Sequence, residues 1–228
     1  MLVKLDEQQL GWMAADRARQ YAGSTGDPMQ SAEAARQLAV LARRAGWHDQ
    51  ALSITLAAAD GPALRTADPD GAAQRGLLVQ SAAYTAARAG DADGMRELTG
   101  EAVAIATALR GITWLRHHGG GFSPATVQLH LVSAEYSAGD PSRALTAAKA
   151  LIPPAASDGG ADYSDVATAY AAWGRRDDCV CALLAAERMA PQETHTRPAV
   201  RAMVQGLLVS GRTTTELRGL VACSGLTF

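Results

Sequence analysis

Four times along this chain an alanine-rich, apolar run stops at a glycine, and five residues later a small or apolar side chain opens another run. The stretches are "RRAGWHDQAL" at 43–52, "ARAGDADGMR" at 87–96, "YSAGDPSRAL" at 136–145 and "AAWGRRDDCV" at 171–180. Their glycines, Gly46, Gly90, Gly139 and Gly174, stand 44, 49 and 35 residues apart. A glycine so placed lets one helix close in a left-handed turn, and the later residue lets the next helix pack back closely. The pattern predicts antiparallel helix pairs near 30–59, 75–109, 124–151 and 162–189, with a terminal pair at about 197–222 opened by "RPAVRAMVQGLL". Two stretches rich in Pro, Gly and Asp, "DGPALRTADPDGAAQ" (60–74) and "PPAASDGGAD" (153–162), read as loops. Repeated pairs of this kind bury a core only by stacking on one another.

Composition sharpens the picture. Hydrophobic residues make up 48% of the chain and aromatics only 5%, so the apolar mass is Ala, Leu and Val, suited to helix–helix packing and poorly suited to strands. The expected fold is all-α, one helical-hairpin solenoid over residues 1–228 with about five pairs. A net charge of −2 gives no electrostatic footprint for nucleic acid. No apolar run approaches the roughly 20 residues of a membrane span, and no signal segment opens the chain. Three cysteines without framework spacing suggest reduced thiols in a cytoplasm. Cys179 and Cys181, two apart on a predicted helix, point to opposite sides and cannot grip one metal together. A phosphate-binding glycine loop, a nucleophile elbow and a paired-histidine zinc signature are all absent, so neither metal nor cofactor is expected.

The unit around Gly174 resembles a tetratricopeptide repeat. Tyr163, Val166, Ala167 and Tyr170 fall at the packing places of its first helix, and Cys179, Leu183 and Ala186 at those of its second. Pro191 follows where such a repeat ends, and Cys179 stands where alanine is usual. More widely, "GWMAADRA", "FSPATVQLH", "SDVATAYAAWGR" and "LLAAERMAPQETHTRPAVRAMVQGLL" are similar to the C-terminal repeat region of actinobacterial Xre-type transcriptional regulators. That resemblance implies a dimerising, effector-sensing domain. In the regulators a helix-turn-helix head precedes it. Here the chain opens at "MLVKLDEQQLGWMAADRA", with Asp6 at the place of a repeat glycine and Gly11 at the small residue after it, so the first repeat is expected to be truncated and the head missing. No DNA binding is then expected of this chain alone. The apolar face of Leu10, Met13 and Ala14, with Leu2, Val3 and Leu5 nearby, should be covered by a second copy or a partner protein at the N-terminal end.

Tetratricopeptide geometry, carried over residue by residue, implies a concave groove. Glu33, Arg36, Val40, Arg43 and Arg44 would line it first, then Leu77, Gln80, Tyr84 and Arg88. Thr126, Leu129, Ser133, Tyr136 and Ser137 would follow, then Ser164 and Thr168. Its basic N-terminal end would suit a carboxylate, a phosphate or an acidic peptide terminus. The alternative is that these arginines are solvated and paired with nearby carboxylates. Glu135, beside Leu131, Val132 and Ala138 at helical spacing, is either an acid–base group active near neutral pH or half of a buried ion pair with an arginine of a neighbouring unit. Asp165 reads as structural. Trp12, Trp47, Trp114 and Trp173 read as packing plugs.

"WLRHHGGGFSPATVQLH" (114–130) reads as a glycine-rich loop feeding a helix that Ser123 caps and Pro124 starts. Thr126, His130, Ser133 and Ser137 recur at steps of four, three and four, one stripe of that helix. Such a stripe is costly to bury without partners and should face a wet groove or a polar ligand. His130 is therefore the candidate for ligand contact or proton transfer, unless it bonds a backbone carbonyl in the core. His117 and His118 would belong to a flap at the groove edge. The expected function is a head-less, regulator-like module that binds a small anionic or polar ligand or a partner protein. The alternative is an enzyme, or a subunit of one, in secondary-metabolite biosynthesis, with His130 and Glu135 as its catalytic residues.

Overall fold

The computed structural model describes residues 8–65, 68–115, 120–150, 160–172, 174–209 and 214–223. The protein is mostly helical. Its helices are α1 (Gln8–Thr25), α2 (Pro28–Arg44), α3 (His48–Ala59), α4 (Pro69–Ala89), α5 (Ala92–Ala108), α6 (Pro124–Ser137), α7 (Pro141–Lys149), α8 (Gly160–Ala172), α9 (Arg176–Met189), α10 (Pro191–Thr196), α11 (Pro198–Val209) and α12 (Thr215–Cys223). Among the described residues no helix is long and apolar enough to cross a membrane.

The four glycine turns form as the spacing predicts. Gly46, Gly90, Gly139 and Gly174 have φ of 84°, 84°, 86° and 71°. After each, the next backbone N–H reaches back five residues to a carbonyl of the last helical turn: Trp47 to Ala42, Asp91 to Ala86, Asp140 to Glu135 and Arg175 to Tyr170, all at 2.9–3.0 Å. These bonds satisfy carbonyls that the helix end would leave orphaned, and a left-handed residue is needed to make them. Asp91 and Asp140 then cap the following helices, accepting from the N–H of Gly94 and Arg143. Five positions after the four glycines stand Ala51, Met95, Ala144 and Cys179, every one wholly buried. Cys179 lies 3.4 Å from the Met203 sulfur, and burial pushes its thiol up to about 11, whereas Cys181 on the opposite side of α9 is exposed.

Successive helices pack in pairs, α2 with α3, α4 with α5, α6 with α7 and α8 with α9. The second helix of each of the first three pairs also meets the first helix of the next, and α2, α4, α6 and α8 pack side by side in that order. Helix α4 lies at the centre, and fourteen of its residues are buried. Asp68 caps it and Pro69 starts it, so the expected loop at 60–74 is shorter than its composition suggests and includes a 3₁₀ turn at Pro62–Leu64. The loop expected at 153–162 lies mostly outside the described residues.

The mostly helical architecture agrees with the all-α expectation and carries one short hairpin, in which Thr113–Leu115 and Gly120–Phe122 pair as antiparallel strands β1 and β2, Thr113 opposite Phe122. Three finer expectations need correction. The glycine-rich stretch before Ser123 is thus partly a strand, and it exists to seat Phe122. That ring is fully buried against α4, and a Cβ on Gly76 would stand 2.3 Å from it. Two tryptophans are not plugs: Trp47 is 55% and Trp114 57% exposed, although Trp47 keeps its ring centroid 5.5 Å from that of Trp12. Leu77 and Leu129 are buried in the core and do not line a groove. Trp173, with His117, His118, Asp6, Leu2, Val3 and Leu5, lies outside the described residues, and so does the side chain of Asp165.

The two kinds of glycine predict different costs. At Gly90 a new Cβ meets nothing within 4 Å, so Gly90→Ala is expected to lose about 1 to 2 kcal/mol through its left-handed backbone alone. Gly76→Ala drives a methyl into the Phe122 ring and is expected to cost about 2 to 3 kcal/mol. Urea unfolding of both variants, and of Gly76→Ala combined with Phe122→Leu, checks this. Only the Gly76 variant should be improved by trimming Phe122, and failure of that rescue would remove the steric account.

Candidate functional site

The side-by-side packing of α2, α4 and α6 brings one set of polar side chains together on an otherwise alanine-rich surface. Arg43, in the last turn of α2, donates from Nη1 to the Ser81 carbonyl (3.3 Å), to Thr85 Oγ1 (3.0 Å) and at the limit of bonding to Ser81 Oγ (3.5 Å). Its Cζ stands 4.8 Å from the centre of the Tyr84 ring, close enough for a cation–π contact. No carboxylate pairs with Arg43 among the described residues. Burial lowers its pKa to about 10, with Tyr84 opposing and the charges of Arg36, Arg88 and Arg44 lowering it further. At neutral pH it is a guanidinium held in a place that disfavours its charge. A lowered pKa in a base means that the charged form costs folding stability at every pH below about 10, a cost relieved as pH rises through that value or when an anion arrives.

The surrounding arginines divide. Arg36 grips Glu33 with two bonds, Nε and Nη2 at 2.8 and 2.7 Å, and Gln37 donates to the same carboxylate. Its charge is met within its own helix. Arg88 is exposed one turn beyond Tyr84 and makes no ion pair among the described residues. Across the interface, the Ser137 hydroxyl of α6 donates to the Tyr84 hydroxyl at 3.4 Å. Arg43, Tyr84, Arg88 and Ser137 therefore form one cluster drawn from three helices. Tyr136, next to Ser137, is exposed.

No family model, curated protein or solved structure matches this chain. Its function must therefore be argued from the arrangement of its own residues.

The expected hydroxyl stripe of α6 is divided between different tasks. Thr126 completes a capping box: its hydroxyl accepts from the Ser123 N–H at 2.9 Å while Ser123 Oγ accepts from the Thr126 N–H at 3.2 Å. Its carbonyl accepts from Gln80 Nε2 at 3.2 Å. His130 is half-buried and turns toward α5, lining with Gln80, Thr99 and Leu131 a gap of about 10 Å³, room for one water. Gln80 Oε1 is buried there without a hydrogen-bond partner. Ser133 is buried, and Thr168, on α8, donates to the Ser164 carbonyl at 2.9 Å.

Glu135 faces away from this cluster. Its side chain is 5% exposed and accepts from Arg96 Nη2 of α5 at 3.4 Å, while Arg96 also touches Asp93. The hydrogen bond to Glu135 raises the Arg96 pKa above its ordinary value. Of the two readings open in the sequence, the geometry is that of an ion pair with the neighbouring unit. Ser81 and Thr85, the polar seat of Arg43, were not among the expected site residues. Their signal was available: two hydroxyls four apart, either side of Tyr84, in a helix of alanines. A second, open cleft of about 330 Å³ is lined by Leu64, Arg65, Ala72, Arg75 and Ile105, but Arg65 is paired with Asp60 and Arg75 with Glu101.

Removing one member of a buried ion pair strands the other, which typically costs about 3 kcal/mol or more. Arg96→Met is therefore expected to destabilise the protein by leaving the buried Glu135 carboxylate unpaired, and Arg96→Met with Glu135→Leu should recover most of the loss. Denaturant unfolding of the single and double variants measures both. A single variant as stable as the parent would assign the contact to the surface class of ion pairs.

Proposed function

We propose that this chain is a non-catalytic binding module, a relative of the repeat region of Xre-type regulators. Its helix pairs are arranged in the tetratricopeptide manner and hold a small anionic or polar ligand or a partner protein on the face of their first helices. The repeated glycine turns support the repeat assignment, as does the packing of α2, α4, α6 and α8 side by side with second helices between them. The observation that carries the binding role is Arg43, a guanidinium seated among neutral groups and like charges with no carboxylate paired to it among the described residues. A protein that needed only stability would gain by replacing such a charge, so its retention argues for a bound anion. The reading requires no cofactor, places the protein in the cytoplasm and, at a net charge of −2, assigns it no DNA contact of its own.

The two residues that the enzyme alternative needs, His130 and Glu135, serve different places in the described structure. Glu135 is engaged by Arg96, and His130 faces a gap that admits one water. Neither lies beside Arg43.

Photo-crosslinking in the producing cells tests the module directly. With benzoylphenylalanine in place of Tyr136 or Arg44, both exposed on first helices, one discrete adduct is expected. At Glu97 or Val103, exposed on α5, none is expected. Equal capture from both faces, or none from either, would rule out a partner protein on the first-helix face.

We further propose that the N-terminal end meets a second copy or a partner protein, because Leu10 and Met13 of α1 are 50% and 70% exposed beside Trp12. Sedimentation at micromolar concentration should show a dimer, or a monomer that Leu10→Glu leaves unable to retain its partner in pull-down from cells. A monomer whose interactions ignore Leu10→Glu would end this proposal.

A further inference from the structure

The Arg43 cluster specifies its ligand more closely than a basic groove would. Nη1 is spent on the Ser81 carbonyl and Thr85, and the ring of Tyr84 fixes the plane of the guanidinium. No group among the described residues meets Nε or Nη2, so one edge of the fork is left to receive two oxygens of an oxyanion, the geometry in which arginine binds carboxylates and phosphates most strongly. Arg88 supplies a second positive charge on the same side of α4, one turn from Tyr84 and close enough for Arg43 to feel it. Arg36 does not compete, because Glu33 already neutralises it. Two cations with no ion-pair partner among the described residues stand beside the neutral Tyr84 and Ser137 hydroxyls.

We infer that Arg43 and Arg88 form a subsite for a dianionic oxyanion, the phosphate group of a small phosphate monoester, received on the free edge of Arg43. The inference rests on the binding-module reading and narrows its ligand class. Two uncompensated charges match a phosphate dianion, whereas a carboxylate would leave one of them unmet. The Tyr84 hydroxyl, which accepts from Ser137 and keeps its own proton, can donate to the third phosphate oxygen without bringing in a competing negative charge. Arg88 and Tyr136 are exposed, so the phosphate enters from solvent and the rest of the monoester lies along the helix face toward Tyr136. Bound phosphate supplies the missing counter-charge and stabilises the folded chain in proportion to its occupancy.

The test titrates inorganic phosphate, methyl phosphate and acetate into the full chain, with ionic strength held constant by sodium chloride. Thermal unfolding and the Nε–Hε resonance of Arg43 report binding. Both phosphates are expected to raise the melting temperature saturably, to shift that resonance, and to bind about tenfold or more tightly than acetate. Arg43→Met keeps the packing on Tyr84 and should weaken phosphate at least about tenfold. Arg88→Gln, at an exposed position that cannot threaten the fold, should weaken it about fivefold. Arg201→Gln on α11, also exposed, should change nothing. The subsite is overturned if phosphate acts no more strongly than sodium chloride, if acetate equals it, or if affinity survives Arg88→Gln and Arg43→Met alike. Should Arg43→Met fail to fold, Arg88→Gln decides alone. Crosslinking on the first-helix face uses no added anion, so capture there without any phosphate effect removes this subsite and leaves the module standing. A phosphate effect without capture removes the partner-protein form of the module and leaves the subsite.

Discussion

Helix α4 has to be approached from almost every side, and the rest of the structure depends on its surface being small enough to allow it. Helices α2, α3, α5 and α6 and both strands touch it. Gly71, Ala73, Gly76, Ala82, Ala83, Ala86 and Ala87 are all buried along its length. Side chains this small bring neighbouring backbones close and maximise contact between atoms, at the expense of the large apolar area that a leucine-rich core would bury. The Phe122 ring is fully buried against α4, and only glycine at position 76 leaves that ring space. Close packing of this kind tolerates few errors of volume, which is why a single methyl matters there.

The same constraint shapes the candidate site. A helix made of alanine offers neighbouring helices little to bond, so the few polar groups it carries acquire fixed partners. Ser81 and Thr85 hold Arg43, Gln80 holds the Thr126 carbonyl, and Tyr84 receives Ser137. Each of these contacts joins α4 to a different neighbour or a different point on it. The site is therefore rigid for the reason that the core is tight, and Arg43 and Arg88 are displayed with no carboxylate paired to them among the described residues. Electrostatic attraction in such a place is stronger than at an open surface, because less water screens it.

Much of the fold was legible in the chain because it is written in local terms. A glycine at a helix end, the residue five places on, and Ser123 before Pro124 each act within one turn of their own position. Contacts over longer separations were not legible. Strands of three residues are too short to show a period, and Phe122 finds its seat 46 residues upstream by shape alone. Glu135 meets Arg96 from 39 residues away, so only the structure could choose between its two readings. The assignment of Leu77 and Leu129 to a groove failed because repeat geometry fixes which residues face inward only when each helix has a free side. Helix α4 has almost none. The polar cluster was half visible: Arg43, Tyr84, Arg88 and Ser137 stood among the expected residues, while His130 and Thr126 were placed with them by periodicity and are occupied elsewhere.

One helix belongs to more than one core. Val127 of α6 packs with the cluster under α4 and the strands, Ala134 with that around Met95, and Leu129 and Val132 with the large cluster that runs through α7, α8, α9, α11 and α12. Arrays of stacked helix pairs ordinarily come apart piecemeal, each unit answering only to its neighbours. Here a single 14-residue segment is a shared wall between the two ends of the chain. Local opening that began at either end would reach α6 and there expose apolar surface belonging to the other, so α6 sets the size of the unit that melts together.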